Sequence, residues 1–227
     1  MSPRTKLFSG PGDRRIKRAL CIVAHPDDID FFCAGTVLKL TARGVAVDFV
    51  LATSGDKGTE EPDITGQELA ARREREQLES ARRLGAARVE FLRRGDAELT
   101  NSLEFRGELV REIRRSKPDL ILSFDPSDGY RQHPDHRVTG RVALDAAWPC
   151  ARDRLTYPDA GPPHKTAEAW LFQGPRSDLV VELSADELEA KIDARLLHES
   201  QTRSAAALRA RWRRIAGQER FAQVDLR

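Results

Sequence analysis

Two apolar runs without polar alternation, residues 19–24 (ALCIVA) and 120–124 (LILSF), mark strands buried on both faces. Between and around them the pattern changes to helical spacing. It predicts a helix over 31–42 ending near Gly44, and a strand over 45–52 closed by the polar turn Thr53-Ser54-Gly55-Asp56-Lys57-Gly58. A charged helix over 67–84 is stopped by Gly85, and a third strand spans 88–92. A helix over 103–115 stops before Pro118. Another spans 134–147, with Pro134 in its first turn. Later strands fall at 167–172 and 178–183. The helix over 184–198 opens with Ser184 as cap and Glu187 three residues on, a capping box. The Arg-rich segment after Gln201 reads as helical, without an evident place to dock.

Strands alternating with helices predict an α/β fold: a Rossmann-like, three-layer domain whose mostly parallel sheet is flanked by helices. Ligands of such sheets bind beyond the carboxyl ends of the strands. Two echoes of one pattern stand there. His25-Pro26-Asp27-Asp28 follows the first buried strand directly, and His133-Pro134-Asp135-His136 follows the strand at 120–124 after a loop. Folding should bring them together. His25 and Asp28 are spaced i, i+3, so on a turn or first helical turn they share a face as metal ligands, and Asp27 points elsewhere. His133 and His136 have the same spacing. If both bind, four ligands close the site as in a structural zinc; if one binds, a position stays open for water. The plainer alternative for the first tetrad is a strand-to-helix turn started by Pro and capped by Asp, and for the second a helix N-terminus with exposed histidines.

The turn at 53–58 offers backbone N–H groups to a polar substrate, with Gly55 and Asp56 as candidates, or is an ordinary glycine turn. Arg73 lies on a charged helix that is mostly solvated and is a candidate to reach the pocket. A dinucleotide fingerprint is disfavoured, because HPDD occupies the place of G-x-G-x-x-G.

Composition narrows the classes. With 227 residues the chain is expected to form one domain, residues 1–17 being an extension and 202–227 the Arg-rich tail. Lys+Arg is 38 against Asp+Glu 36, which argues against nucleic acid or an anionic membrane as partner. Three cysteines form no CxxC and imply no disulfide framework. No apolar h-region or membrane-length run is present, so a cytoplasmic protein with no membrane anchor is expected.

The segments Ala24-His25-Pro26-Asp27-Asp28, Cys33-Ala34-Gly35-Thr36, Thr53 to Gly58, Arg73-x-x-Glu76 with Leu84-Gly85, the second tetrad and Lys191 to Gln201 resemble the LmbE-like, or PIG-L-type, metal-dependent N-deacetylases. Ala34 departs from the glycine many members carry, which touches loop packing. The resemblance implies one zinc, with Fe2+ or Co2+ as alternatives, held by His25, Asp28 and His136. It implies Asp27 as general base, His133 beside the reacting carbonyl, Asp135 as the partner orienting His133, and Tyr130 as the candidate to assist the oxyanion. The substrate implied is a small N-acetylglucosamine-type sugar or conjugate, and a homo-oligomer is in keeping with the family. Loops 60–66 and 148–163 are expected to set specificity. A phosphoesterase, which commonly needs a second metal, and a non-catalytic metal- or sugar-binding module are the competing classes.

Overall fold

Covering an apolar strand on both faces requires helices on both sides of the sheet, and the chain builds that arrangement outward from its two purest apolar runs. The computed structural model describes residues 4–5, 16–127 and 132–227. The first run is β2 (Arg18–Val23) and the second is β5 (Leu120–Phe124), hydrogen-bonded side by side. On the far side of β2 lie β3 (Ala46–Thr53) and β4 (Arg88–Arg94). On the far side of β5 lie β6 (Glu168–Phe172), β8 (Gln218–Asp225), β7 (Leu179–Glu182) and the short β1 (Arg4–Thr5). All pairings are parallel except those of β8, which runs antiparallel to both β6 and β7.

The chain leaves β2 toward β3 and β4, then returns to β5 and continues the other way. The β2–β5 seam is therefore the switch point at which right-handed crossovers place helices on opposite faces and open a crevice. One layer holds α1 (Asp28–Phe32), α2 (Ala34–Thr41), α3 (Gly66–Leu84), α6 (Ala185–Leu196) and α7 (Ala205–Ile215). The other holds α4 (Leu103–Ser116) and α5 (Pro134–Asp145). The capping box at Ser184 and Glu187 forms as its spacing predicts, and Thr65 with Glu68 makes a second one on α3. Among the described residues no helix is long and apolar enough to cross a membrane.

Three expectations need correction. The single helix over 31–42 is two, broken at Cys33, which leaves helical geometry at φ −145° and ψ 11°. The buried carboxylate of Glu219 explains the restart. It accepts hydrogen bonds from Gly35 N at 2.8 Å and Thr36 N at 2.7 Å, satisfying free N–H groups at the start of α2. The tail is not only helical. Beyond α7 it supplies β8, inserted between β6 and β7, and Glu219 is one of its buried residues.

Loop 148–163 does not border the tetrads. It follows the carboxyl end of α5, whereas His133 and His136 stand at the amino end, about 18 Å away for a helix of this length. Arg114, 2 % exposed, gathers this loop from α4. Its guanidinium donates to the carbonyls of Cys150, Ala151, Asp153, Thr156, Tyr157 and Gly161. Arg114→Met leaves those carbonyls, some of them buried, without their donor and should cost about 3 kcal/mol of stability in urea unfolding. Metal affinity should be unchanged in the same variant, since the loop lies at the opposite end of α5 from the tetrads.

Candidate metal centre and active site

The loops after β2, β3, β4 and β5 meet at the carboxyl edge of the sheet around a cavity of about 530 Å³. Its walls include His25, Asp27, Asp28, Asp96, His133 and His136, so the two tetrads share one site as their places in the chain predict.

The first tetrad is held open by its own backbone. Asp27 sits at φ 88°, a left-handed conformation unusual for a residue with a side chain, and its N–H donates to Gln77 Oε1 at 2.9 Å. This turn separates the neighbouring carboxylates. Asp28 Oδ2 accepts the N–H of His25 at 2.7 Å, and Asp28 Oδ1 lies 3.1 Å from His136 Nε2. His25 Nδ1 lies 3.3 Å from the same His136 nitrogen. Ligands bound at 2.0–2.1 Å in a tetrahedron are about 3.3 Å apart, so these spacings fit a small divalent cation.

The remaining nitrogens of both rings support that reading. His136 Nδ1 meets Gln173 Oε1 at 2.9 Å, and the ring lies flat against Phe124 with centroids 4.0 Å apart. His25 Nε2 faces Asp96 at 3.1 Å and Asp135 at 3.3 Å. Each outer nitrogen thus donates its proton to an oxygen, leaving His25 Nδ1 and His136 Nε2 as lone pairs aimed at one point. Burial opposes charge on His25, but hydrogen bonds to Asp135, Asp28 and Asp96 prevail and push its pKa up to about 12. Burial would raise the pKa of Asp28, yet His136 and His25 hold it well below the carboxylate range. The centre is built to take a positive charge, either a proton or a metal that displaces it.

His25, Asp96 and His133 form a second group of donors within metal reach. Proton accounting separates the two groups. His25 Nε2 already donates to carboxylates, and His133 Nδ1 already accepts the N–H of Asp135 at 3.2 Å. The lone pairs therefore converge at the His25–Asp28–His136 group.

Asp135 takes a different place from the one expected. Its carboxylate accepts N–H bonds from Ala97 at 2.7 Å and Leu99 at 3.3 Å and faces His25, so it orients the His25 ring. His133 is met by the backbone of Asp135. It is the N-cap of α5, and partial burial of its ring together with the nearby His25 lowers its pKa despite the opposing pull of Asp135. Burial followed by the charge of Asp28 raises the pKa of Asp27, while Arg73 and Arg195 pull it down from 3.7 and 3.6 Å.

Arg73 does line the cavity, but its guanidinium is spent on the carbonyls of Pro26 at 2.8 Å and Gly55 at 3.2 Å. Gly55 is where that guanidinium crosses the backbone; a Cβ there would lie 2.3 Å from Arg73 Nη1. Asp56 accepts the N–H of Asp96 at 3.0 Å. Neither Gly55 nor Asp56 is among the described residues lining the cavity; Lys57 and Gly58 of the same turn are. Tyr130 lies outside the described residues.

Sequence reasoning missed Asp96, Gln173, Gln77 and Arg195. The rule that located the tetrads could have found the first two, since both follow parallel strands at the same edge. The segment ending in His198-Glu199-Ser200-Gln201 also gains a reason. His198 bonds Asp30 at 2.9 Å in full burial, Ser200 N donates to Glu76 at 2.8 Å, and Gln201 reaches the cavity wall.

His136→Ala and Asp28→Ala should each abolish stoichiometric metal, read by elemental analysis after gel filtration. Gln173→Leu and Asp135→Asn should weaken metal binding about 10- to 100-fold, because each removes an outer partner of a ligand. His133→Ala should keep one metal per chain; its loss there would favour a closed four-ligand centre.

Comparison with known proteins gives the chain a family. The chain is 36 % identical over 189 residues to diacetylchitobiose deacetylase of Thermococcus kodakarensis, covering 82 % of this chain and 70 % of that one. Its fold superposes on N,N'-diacetylchitobiose deacetylase from Pyrococcus horikoshii with a TM-score of 0.85 at 30 % identity, over 93 % and 85 % of the two chains. It also matches the 4-carboxy-2-hydroxymuconate hydratase GalB from Pseudomonas putida, with a TM-score of 0.76 at 23 % identity over 88 % and 84 %, a likeness of fold alone. The pattern of the GlcNAc-PI de-N-acetylase family, PIG-L, matches residues 20–147, which spans both tetrads, and the chain belongs to that family.

Proposed function

We propose that this protein is a metal-dependent hydrolase that removes the acetyl group from the amide nitrogen of an N-acetylglucosamine-type sugar. The observation that carries the reading is the convergence of His25 Nδ1, Asp28 Oδ1 and His136 Nε2, with Asp27 and His133 beside them and free of that ligand set. A pure binding site has no use for those two. The names of the deacetylases to which the chain is similar support the same substrate class. Two imidazoles and one carboxylate suit zinc, and also Fe2+ or Co2+.

A divalent ion held there would polarise the acyl carbonyl and acidify a water. The protein's own groups supply the proton path. Asp27, with its pKa raised by burial, accepts a proton from the attacking water as the water oxygen bonds to the carbonyl carbon. His133 accepts a backbone N–H at Nδ1, so its neutral ring carries its proton on Nε2. It stabilises the developing oxyanion as a neutral donor, with no need for the imidazolium form. When the carbon–nitrogen bond breaks, Asp27 returns the proton to the leaving amine, giving acetate and the free amino sugar. Arg73 and Arg195 hold the carboxylate in place from two sides.

The test is release of acetate and free amine from N-acetylglucosamine and N,N'-diacetylchitobiose by protein of known metal content. Activity should vanish with a chelator and return with zinc; metal bound at one per chain with no amine released from either would overturn the reading. Asp27→Asn should keep the metal and lose about 10²- to 10⁴-fold in kcat, and a variant of undiminished turnover would remove Asp27 as the base.

A further inference from the structure

A second cavity of about 340 Å³ adjoins the first, and Phe31 and Phe32 line both. Gln173, the partner of His136, also lines it, so it opens beside the metal centre. The Arg-rich tail supplies much of the remaining wall through Arg211, Trp212 and Arg220. That tail lies outside residues 20–147, the part matched by the family pattern. Resting on the deacetylase reading, we propose that this cavity binds the portion of the substrate beyond the acetamido sugar, and that this portion carries an anionic group.

The charges on the tail are sorted in a way that favours this occupant. Arg209 and Arg213 of α7 are paired with Glu189 and Asp193 of α6. Arg211, on the same helix, has no acidic partner among the described residues, and Arg220 meets only the amide oxygen of Gln218 at 2.9 Å. At the cavity floor Lys191 and Glu219 neutralise each other at 2.6 Å. Two unneutralised guanidiniums therefore remain, whose forked donors suit a carboxylate or a phosphate. The wall between them and the metal centre is aromatic. Phe31 is 41 % exposed and its ring stands 5.3 Å from that of Trp212. A ring of the substrate can lie against that surface while its anionic substituent reaches the arginines. A neutral second ring would use the aromatic wall and leave both cations without a partner.

The proposal is tested with N-acetylglucosaminides of equal size whose aryl aglycone carries a methyl, a carboxylate or a phosphate group. Binding to the metal-loaded protein by calorimetry and kcat/KM for amine release are measured for each. The anionic glycosides should bind roughly 3- to 10-fold more tightly than the neutral one, with the advantage shrinking at high salt. The better of the two anions identifies the group. The preference should fall to parity in the double variant Arg211→Gln/Arg220→Gln. It should persist in Arg209→Gln/Arg213→Gln, which removes the same charge from paired positions. Equal binding of the three glycosides by the wild type, or a preference that survives loss of Arg211 and Arg220, overturns the proposal. Binding decides the point whether or not any glycoside is hydrolysed. Hydrolysis of the neutral glycoside separately tests the deacetylase reading.

Discussion

Three carboxylates around one imidazole set the terms for the rest of the structure. His25 has Asp28 on one side and Asp96 and Asp135 on the other. Burying that much negative charge is costly unless a cation is present, and each anion is placed where the fold can bear it. Asp135 is held by two backbone amides, Asp28 by the amide of its own turn, and Asp96 by the ring of His25. The shared cation at His25 Nδ1 is what the arrangement requires, and a metal in place of the proton satisfies it.

Support for that centre comes from a second layer of buried polar contacts reaching across the helical layer. Arg73 on α3 ties the Pro26 carbonyl to the turn after β3, and Gln77, one helical turn on, takes the strained Asp27 amide. Arg195 on α6 faces Asp27 from the other side, and His198 with Asp30 and Ser80 fills the space behind. The left-handed backbone at Asp27 persists because these contacts surround it. Asp27 and Asp28 can thus be neighbours in sequence and face different partners, a separation the i, i+3 argument anticipated only as a direction.

Much of this was legible in the chain because it depends on local pattern. Unbroken apolar runs located β2 and β5, and the position of each tetrad just past a strand located the site. Roles that depend on long-range geometry were not legible. Nothing near Asp135 in sequence says that its carboxylate turns toward His25, more than a hundred residues away. Arg114 looks like one more arginine on a charged helix, and only the folded loop shows its six carbonyl partners. β8 lies in an Arg-rich tail whose sequence reads as helical, because its burial rests on Phe221, Ala222 and a paired Glu219 within an otherwise charged segment. The family resemblance supplied the ligand set; the hydrogen bonds of the two rings supply an independent reason for it.

The GalB likeness shows that this fold is shared with a hydratase, so the reaction must be argued from side chains. Here the decisive one is His133. As N-cap of α5 it receives a backbone N–H at Nδ1 and stands at the positive end of the helix, both of which disfavour an added proton. A neutral ring can only donate its remaining N–H. In the mechanism we propose, proton transfer in both directions then falls to Asp27, whose raised pKa suits a group that must take a proton and give it back. The proposed mechanism thus gives opposite duties to an exposed and a buried residue, His133 fixed as a donor by the helix it caps and Asp27 left free to exchange its proton.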